Sequence, residues 1–260
     1  MTGKIYPEKF SLRNKIAVVT GGVGLIGKAI STGFAQAGAK VYIADIEKKE
    51  GKKFVKNNPN FRWVDLDITN IGSIKKCISL IIKDEKKIDV WVNCAYPKTI
   101  DWDKKFEKIK YESWKKNVDM HLNGYFLCCQ QIAEHMKKQK SGSIINLSSI
   151  YGIVGPNFSI YEKDATMPAA YSAIKGGLNT FTKYLSTYYG KYGVRVNAIC
   201  PGGIYNNQPK TFLKKYSEKT PIGRMAEAKE IAGPAIFLAS DASSYVTGHI
   251  LIVDGGWTAW

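Results

Sequence analysis

The chain has 260 residues, is 45% hydrophobic and carries 38 Lys/Arg against 22 Asp/Glu, a formal net charge of +16. That is apolar enough for a large buried core, yet no run of about 18 apolar residues occurs, which excludes a membrane-spanning helix. The Lys residues are scattered over many helix faces and form no basic block interleaved with aromatics. The excess charge therefore reads as a solvated surface and not as a nucleic-acid footprint, although an anionic substrate stays compatible with it. The first fifteen residues lack the apolar core of a signal peptide, so a cytoplasmic location is expected. The five cysteines form no C-x-x-C pair and only three histidines are present, which predicts reduced, buried thiols and no metal site.

In chain order, residues 1–15 read as a lead-in. Ile16 to Thr20 is a continuous apolar run, the mark of a strand covered on both faces. The turn that follows contains Gly21, Gly24, Leu25, Ile26 and Gly27, then a helix pattern from Lys28 to Ala37 stopped by Gly38. A second strand, Lys40 to Ala44, ends in Asp45. Strand, glycine-rich turn, helix, strand and acid form a dinucleotide-binding unit: glycines let the backbone approach a pyrophosphate at the helix N-terminus. A carboxylate at Asp45 accepts hydrogen bonds from ribose hydroxyls and repels a 2′-phosphate, so NAD(H) is favoured over NADP(H). The alternative for Asp45 is a helix cap.

Further strands are expected at 61–66, 89–93, 143–147, 195–200 and 250–253, with helices at 71–82, from Glu112 through Gln131 towards Met136, around Tyr171, and from Ala226 to Leu238. Thr69 or Asn70 is expected to cap the first of these. Residues 98–111 read as a charged and aromatic surface excursion. Strands alternating with helices throughout predict one α/β domain spanning 1–260, a Rossmann fold with a doubly wound, seven-stranded parallel sheet. Ligands bind such sheets at the carboxyl ends of the strands, where Asp67, Asn93, Ser149 and Pro201 also fall. Tyr171 and Lys175, four apart, share one helix face, so a cation can favour the phenolate of a neighbouring tyrosine acting as a general acid/base.

The segments TGGVGLIG (20–27), DIT (67–69), VNCA (92–95), INLSS (145–149), YSAIK (171–175), RVNAICPGG (195–203) and VTGHILIVDGG (246–256) together resemble the short-chain dehydrogenase/reductase family over essentially the full length. The resemblance implies that Tyr171 is the acid/base, that Lys175 lowers its pKa and binds the nicotinamide ribose, and that Ser149, not Ser148, orients the substrate oxygen. It also implies that Asp67 and Ile68 flank the adenine and that Asn93 and Ala95 line the cofactor cleft. Ile204, after the Pro201–Gly202 turn, meets the carboxamide. A homotetramer or homodimer packed through the two long helices and the C-terminal strand is implied in the same way.

Four departures from the family pattern stand out. The glycine spacing is that of the larger branch, which includes epimerases and dehydratases. Tyr96 stands where a glycine is common. His121 stands where a helix asparagine usually completes a tetrad; it reads either as a proton-relay partner or as a buried structural residue. Tyr171 lies 22 positions after Ser149, and the excess, within 155–168, is either a substrate-pocket loop or a tolerated surface insertion. The loop motifs resemble a subgroup tied to bacterial surface-polysaccharide and nonulosonate sugars. The resulting expectation is an NAD(H)-dependent oxidoreductase interconverting a secondary alcohol and a ketone on a small, sugar-like substrate. A nucleotide-sugar epimerase or dehydratase with retained NAD, and a non-catalytic NAD-binding protein, are the alternatives.

Overall fold

The computed structural model describes residues 6–56, 58–162 and 165–260. Seven strands form one parallel sheet: β1 (Ile16–Thr20), β2 (Lys40–Asp45), β3 (Phe61–Asp65), β4 (Val90–Asn93), β5 (Gly142–Leu147), β6 (Val194–Pro201) and β7 (Ile250–Val253), in the order β3-β2-β1-β4-β5-β6-β7. Within the described residues, nine α-helices connect or flank them: α1 (Tyr6–Lys9), α2 (Leu25–Gln36), α3 (Lys48–Val55), α4 (Ile71–Glu85), α5 (Tyr111–Val118), α6 (Gly124–Gln139), α7 (Ala169–Tyr189), α8 (Lys210–Glu218) and α9 (Ala232–Ala239). None of the described helices is long and apolar enough to cross a membrane.

The apolar runs divide by period two between the sheet faces. Ile16 and Val18 of β1 pack into the core beneath α4, α6 and α7, while Ala17 and Val19 pack into the core beneath α2 and α9. A third, smaller core of Ile150, Tyr151, Ile160, Tyr216, Met225 and Trp257 lies beside them. Asn70 is the cap of α4, its side chain accepting from the Ser73 amide at 3.0 Å.

Three stretches differ from the sequence expectation. The expected helix from Glu112 is α5 and α6 joined by one π turn, Asp119–Asn123. The helix expected from Ala226 begins as a 3-10 turn, Ala228–Ile231, and becomes α-helical only at Ala232. The excursion at 98–111 is not wholly superficial, because Trp102 is only 6% exposed. Of the 155–168 loop, Lys163 and Asp164 lie outside the described residues.

Candidate active site

Strand order reverses between β1 and β4, and a cavity of about 960 Å³ opens there at the carboxyl ends of the strands. Fifteen of the sixteen sequence-nominated residues line it: Gly21, Gly24, Leu25, Ile26, Gly27, Asp45, Asp67, Ile68, Ala95, Ser149, Tyr171, Lys175, Pro201, Gly202 and Ile204. Asn93 does not. It is fully buried below the cleft, where it accepts from the Trp91 indole (2.8 Å) and donates to Asn146 (2.9 Å), tying β4 to β5.

The glycine turn is shaped for close approach. Gly21 has φ +63°, and a Cβ there would stand 2.5 Å from the Ala95 Cα. A Cβ on Gly27 would collide with the Gly21 carbonyl. The turn is pinned from both sides. The Asp45 carboxylate accepts from the Val23 and Glu47 amides (both 3.1 Å), and the Thr20 hydroxyl accepts from the Cys94 and Ala95 amides (3.1 and 3.3 Å). Gly24 is the N-cap of α2 and no side chain caps it, so the free first-turn N–H groups and positive end of the helix dipole meet the cleft. These features fit a dinucleotide: a backbone cradle without Cβ atoms, a helix N-terminus for the pyrophosphate, and a strand-end carboxylate for a ribose.

At the other end of the cavity α7 presents Tyr171 and Lys175. Lys175 is buried at 4% exposure, and its ammonium donates to the Leu147 carbonyl at 2.6 Å. Its Nζ stands 5.5 Å from the Tyr171 ring centre and 5.6 Å from that of Tyr125. Burial pulls the ammonium down to about 8. Burial pushes the Tyr171 phenol up to about 12, partly opposed by a hydrogen bond with Ser149. The two adjacent serines diverge: the Ser148 hydroxyl donates to the Lys175 carbonyl (3.1 Å), while Ser149 lines the cavity and accepts from the Tyr151 amide (3.1 Å). Such a corner can hold an oxygen between a serine hydroxyl and a phenol and move a proton to or from it.

Around this corner the wall is aromatic. Tyr96 and Trp102 meet Tyr171 edge-on, at 5.8 and 6.4 Å between centroids. Trp102 reaches the site by tertiary packing that no local period announces. Tyr151, Tyr161, Met167, Phe212, Tyr216 and Met225 complete the apolar side, with Asn206 and Gln208 as polar members. Sequence reading missed α8, which supplies Phe212 and Tyr216, although their i, i+4 spacing was a signal for it. Among the described residues, the charged side chains lining the cavity apart from Lys175 are Lys28, Asp45, Glu47, Glu50 and Asp67. Asp45 ends β2 and the other four follow β1, β2 or β3, all at the dinucleotide end, and no group of three His, Cys, Asp or Glu among the described residues could hold a metal.

A doubly wound sheet with this turn, acid and crevice defines a nucleotide-cofactor-binding α/β protein, and two of the solved structures it resembles hold such a cofactor. Residues 23–258 match a family model described as enoyl-(acyl carrier protein) reductase. Post-translational flagellin modification protein A of Campylobacter coli is 37% identical over 257 residues, covering 95% of this chain and 99% of that protein. A sorbose reductase of Candida albicans is 35% identical, covering 96% and 89% respectively. Among solved structures, a short chain dehydrogenase of Leptospira borgpetersenii with bound NAD+ has a TM-score of 0.87 at 35% identity, covering 99% of this chain and 97% of that one. A gluconate 5-dehydrogenase of Burkholderia cenocepacia in complex with NADP and tartrate has 0.87 at 27% identity, covering 97% and 98%. The chain belongs to the short-chain dehydrogenase/reductase family. It is an oxidoreductase of CH–OH groups.

Proposed function

We propose that this protein is an NAD(H)-dependent oxidoreductase that interconverts a secondary alcohol and a ketone on a neutral, sugar-like molecule. The observation that carries the reading is the meeting of Ser149, Tyr171 and Lys175 at one corner of a cavity whose far end is the glycine cradle. Gly21 to Gly27 and the α2 N-terminus would hold the pyrophosphate, Asp45 a ribose, and Asp67 and Ile68 the adenine side. Lys175, Pro201, Gly202 and Ile204 would hold the nicotinamide side. Bound there, the dinucleotide would supply hydride acceptance and donation. During alcohol oxidation Ser149 holds the substrate oxygen and the Tyr171 phenolate takes its proton. Lys175 stabilises that phenolate; in the reverse direction Tyr171 returns the proton to the carbonyl.

The strand-end carboxylate supports NAD over NADP, since a 2′-phosphate would stand against it. The aromatic wall supports a carbohydrate ring or similar polyol, and a reductase of sorbose is among the relatives. A nucleotide-sugar epimerase would need cations for the substrate's phosphates; apart from Lys175, the described residues lining the substrate side offer none, which favours net oxidation or reduction. We also propose a dimer or tetramer assembled through α5–α6, α7 and the edge strand β7. Phe126, Tyr184 and Tyr188 are exposed on those helices, and β7 has a neighbour on one side only.

Tyr171→Phe tests the chemistry. Turnover is expected to fall about 10²–10⁴-fold, with NAD affinity by calorimetry unchanged; near wild-type turnover rejects the assignment. A screen following NADH absorbance across neutral polyols, ketoses, sugar phosphates and nucleotide sugars tests the substrate class.

A further inference from the structure

Two departures from the family pattern lie against the Tyr171–Lys175 pair: Tyr96 meets the Tyr171 ring, and His121 meets the Lys175 ammonium. His121 sits in the π turn between α5 and α6, is fully buried, and brings Nε2 to 3.3 Å from the Lys175 Nζ. A π turn re-aims the side chains it carries and recurs at functional sites. Asp119 and Asn123, in the same turn, face outward and bond to each other at 2.8 Å. Leu122 packs against the core beside it, so the turn carries His121 inward and Asp119 and Asn123 outward.

We infer that His121 is the positioning residue for Lys175, its Nε2 holding the ammonium by accepting a hydrogen bond from Nζ. An ammonium has three donors. One goes to the Leu147 carbonyl and one, on this reading, to His121, which leaves the third for the cavity that Lys175 lines. A bare Nε2 requires the proton on Nδ1, and Nδ1 has no partner among the described residues. The imidazole cannot charge readily, because burial and the adjacent ammonium both hold its pKa well below the usual histidine range.

The other titratable groups facing the pair are Tyr171 on α7, Tyr125 on α6, Tyr96 and Cys94 after β4, and Cys200 on β6. Burial raises all five, so all are neutral near pH 7. Among the described residues, His121 is the side chain at hydrogen-bond distance from the ammonium, beside the Leu147 carbonyl.

The proposal rests on the reading of Tyr171 as the proton-transferring group. With three histidines in the chain, imidazole ¹⁵N spectra are assignable by single substitutions. In wild-type protein at pH 6.5, where Lys175 is charged, His121 is expected as the Nδ1–H tautomer, without titrating down to pH 5.5. A proton on Nε2, or a titration in that range, overturns the proposal even if every variant misfolds. In variants, loss of the acceptor weakens the ammonium and with it the phenolate. His121→Leu should raise the acid limb of kcat for alcohol oxidation by about one pH unit. His121→Gln, whose Oε1 reaches the Nε2 position, should restore the wild-type profile. A Leu profile superimposable on wild type rejects the inference. An active Tyr171→Phe enzyme rejects the underlying reading instead, and the tautomer result stands apart from it.

Discussion

Lys175 is a cation surrounded by rings and carbonyls, with little water. Its folded pKa of about 8 lies below its ordinary 10.5, so between those values the unfolded chain holds the extra proton. Stability should therefore rise with pH across that window, and below it the buried charge is a standing cost of up to about 3 kcal/mol. Comparing dinucleotide-free wild type with Lys175→Met by urea unfolding isolates this effect. The difference is expected to move in favour of wild type between about pH 7.5 and 10, and a flat difference would contradict it. Asp45 carries the second prediction at this scale. Asp45→Ala removes both the repulsion of a 2′-phosphate and the bonds to the Val23 and Glu47 amides. It should shift the NADP/NAD affinity ratio towards NADP, measured by fluorescence titration; an unchanged ratio would take Asp45 out of cofactor choice. These residues were legible in the sequence because each ends a strand or shares a helix face. Trp102 and the orientation of His121 were not, because long-range ring packing and a π turn leave no period to read.

Among the elements, the glycine turn is the most constrained. Gly21→Ala would force a left-handed φ on a residue with a Cβ and drive it into Ala95. A loss of about 1–3 kcal/mol is expected in urea unfolding, together with weaker dinucleotide binding. Gly24→Ala, whose Cβ meets only the Gly21 carbonyl at 3.2 Å, should be milder. Equal losses at the two positions would mean that cradle geometry is not the cause. The strands show why the fold could be read so far ahead of the site. A parallel strand covered on both faces, such as β1, is an unbroken apolar run, and the seven segments named from sequence overlap all seven strands closely, the less buried β3 and β7 included. Helices α3 and α8 went unread although both are amphipathic, because they are short and Lys-rich, with only a few apolar positions each to mark the period.

For the whole molecule, the net charge of +16 and the exposed rings of α6 and α7 act in opposition. Self-repulsion keeps copies apart, whereas apolar burial joins them. If the proposed assembly forms through these helices, Phe126→Ser combined with Tyr184→Ser should lower the sedimenting mass while leaving far-ultraviolet dichroism unchanged. Oligomers of unaltered mass would place the interface elsewhere. Raising ionic strength should favour association by screening the repulsion.

Trp257 stacks on Tyr216 at 4.4 Å between centroids, and the Tyr216 hydroxyl accepts from the Gly203 amide. The final strand's tail thus braces α8 and the loop after β6 together, on the substrate side only. The two ends of the cavity are consequently built from different parts of the chain. The cradle draws mainly on residues before 70, and most of the opposite wall on residues after 149. Changes confined to α8 and the tail can therefore reshape that wall without touching the glycine cradle or the Tyr171–Lys175 corner.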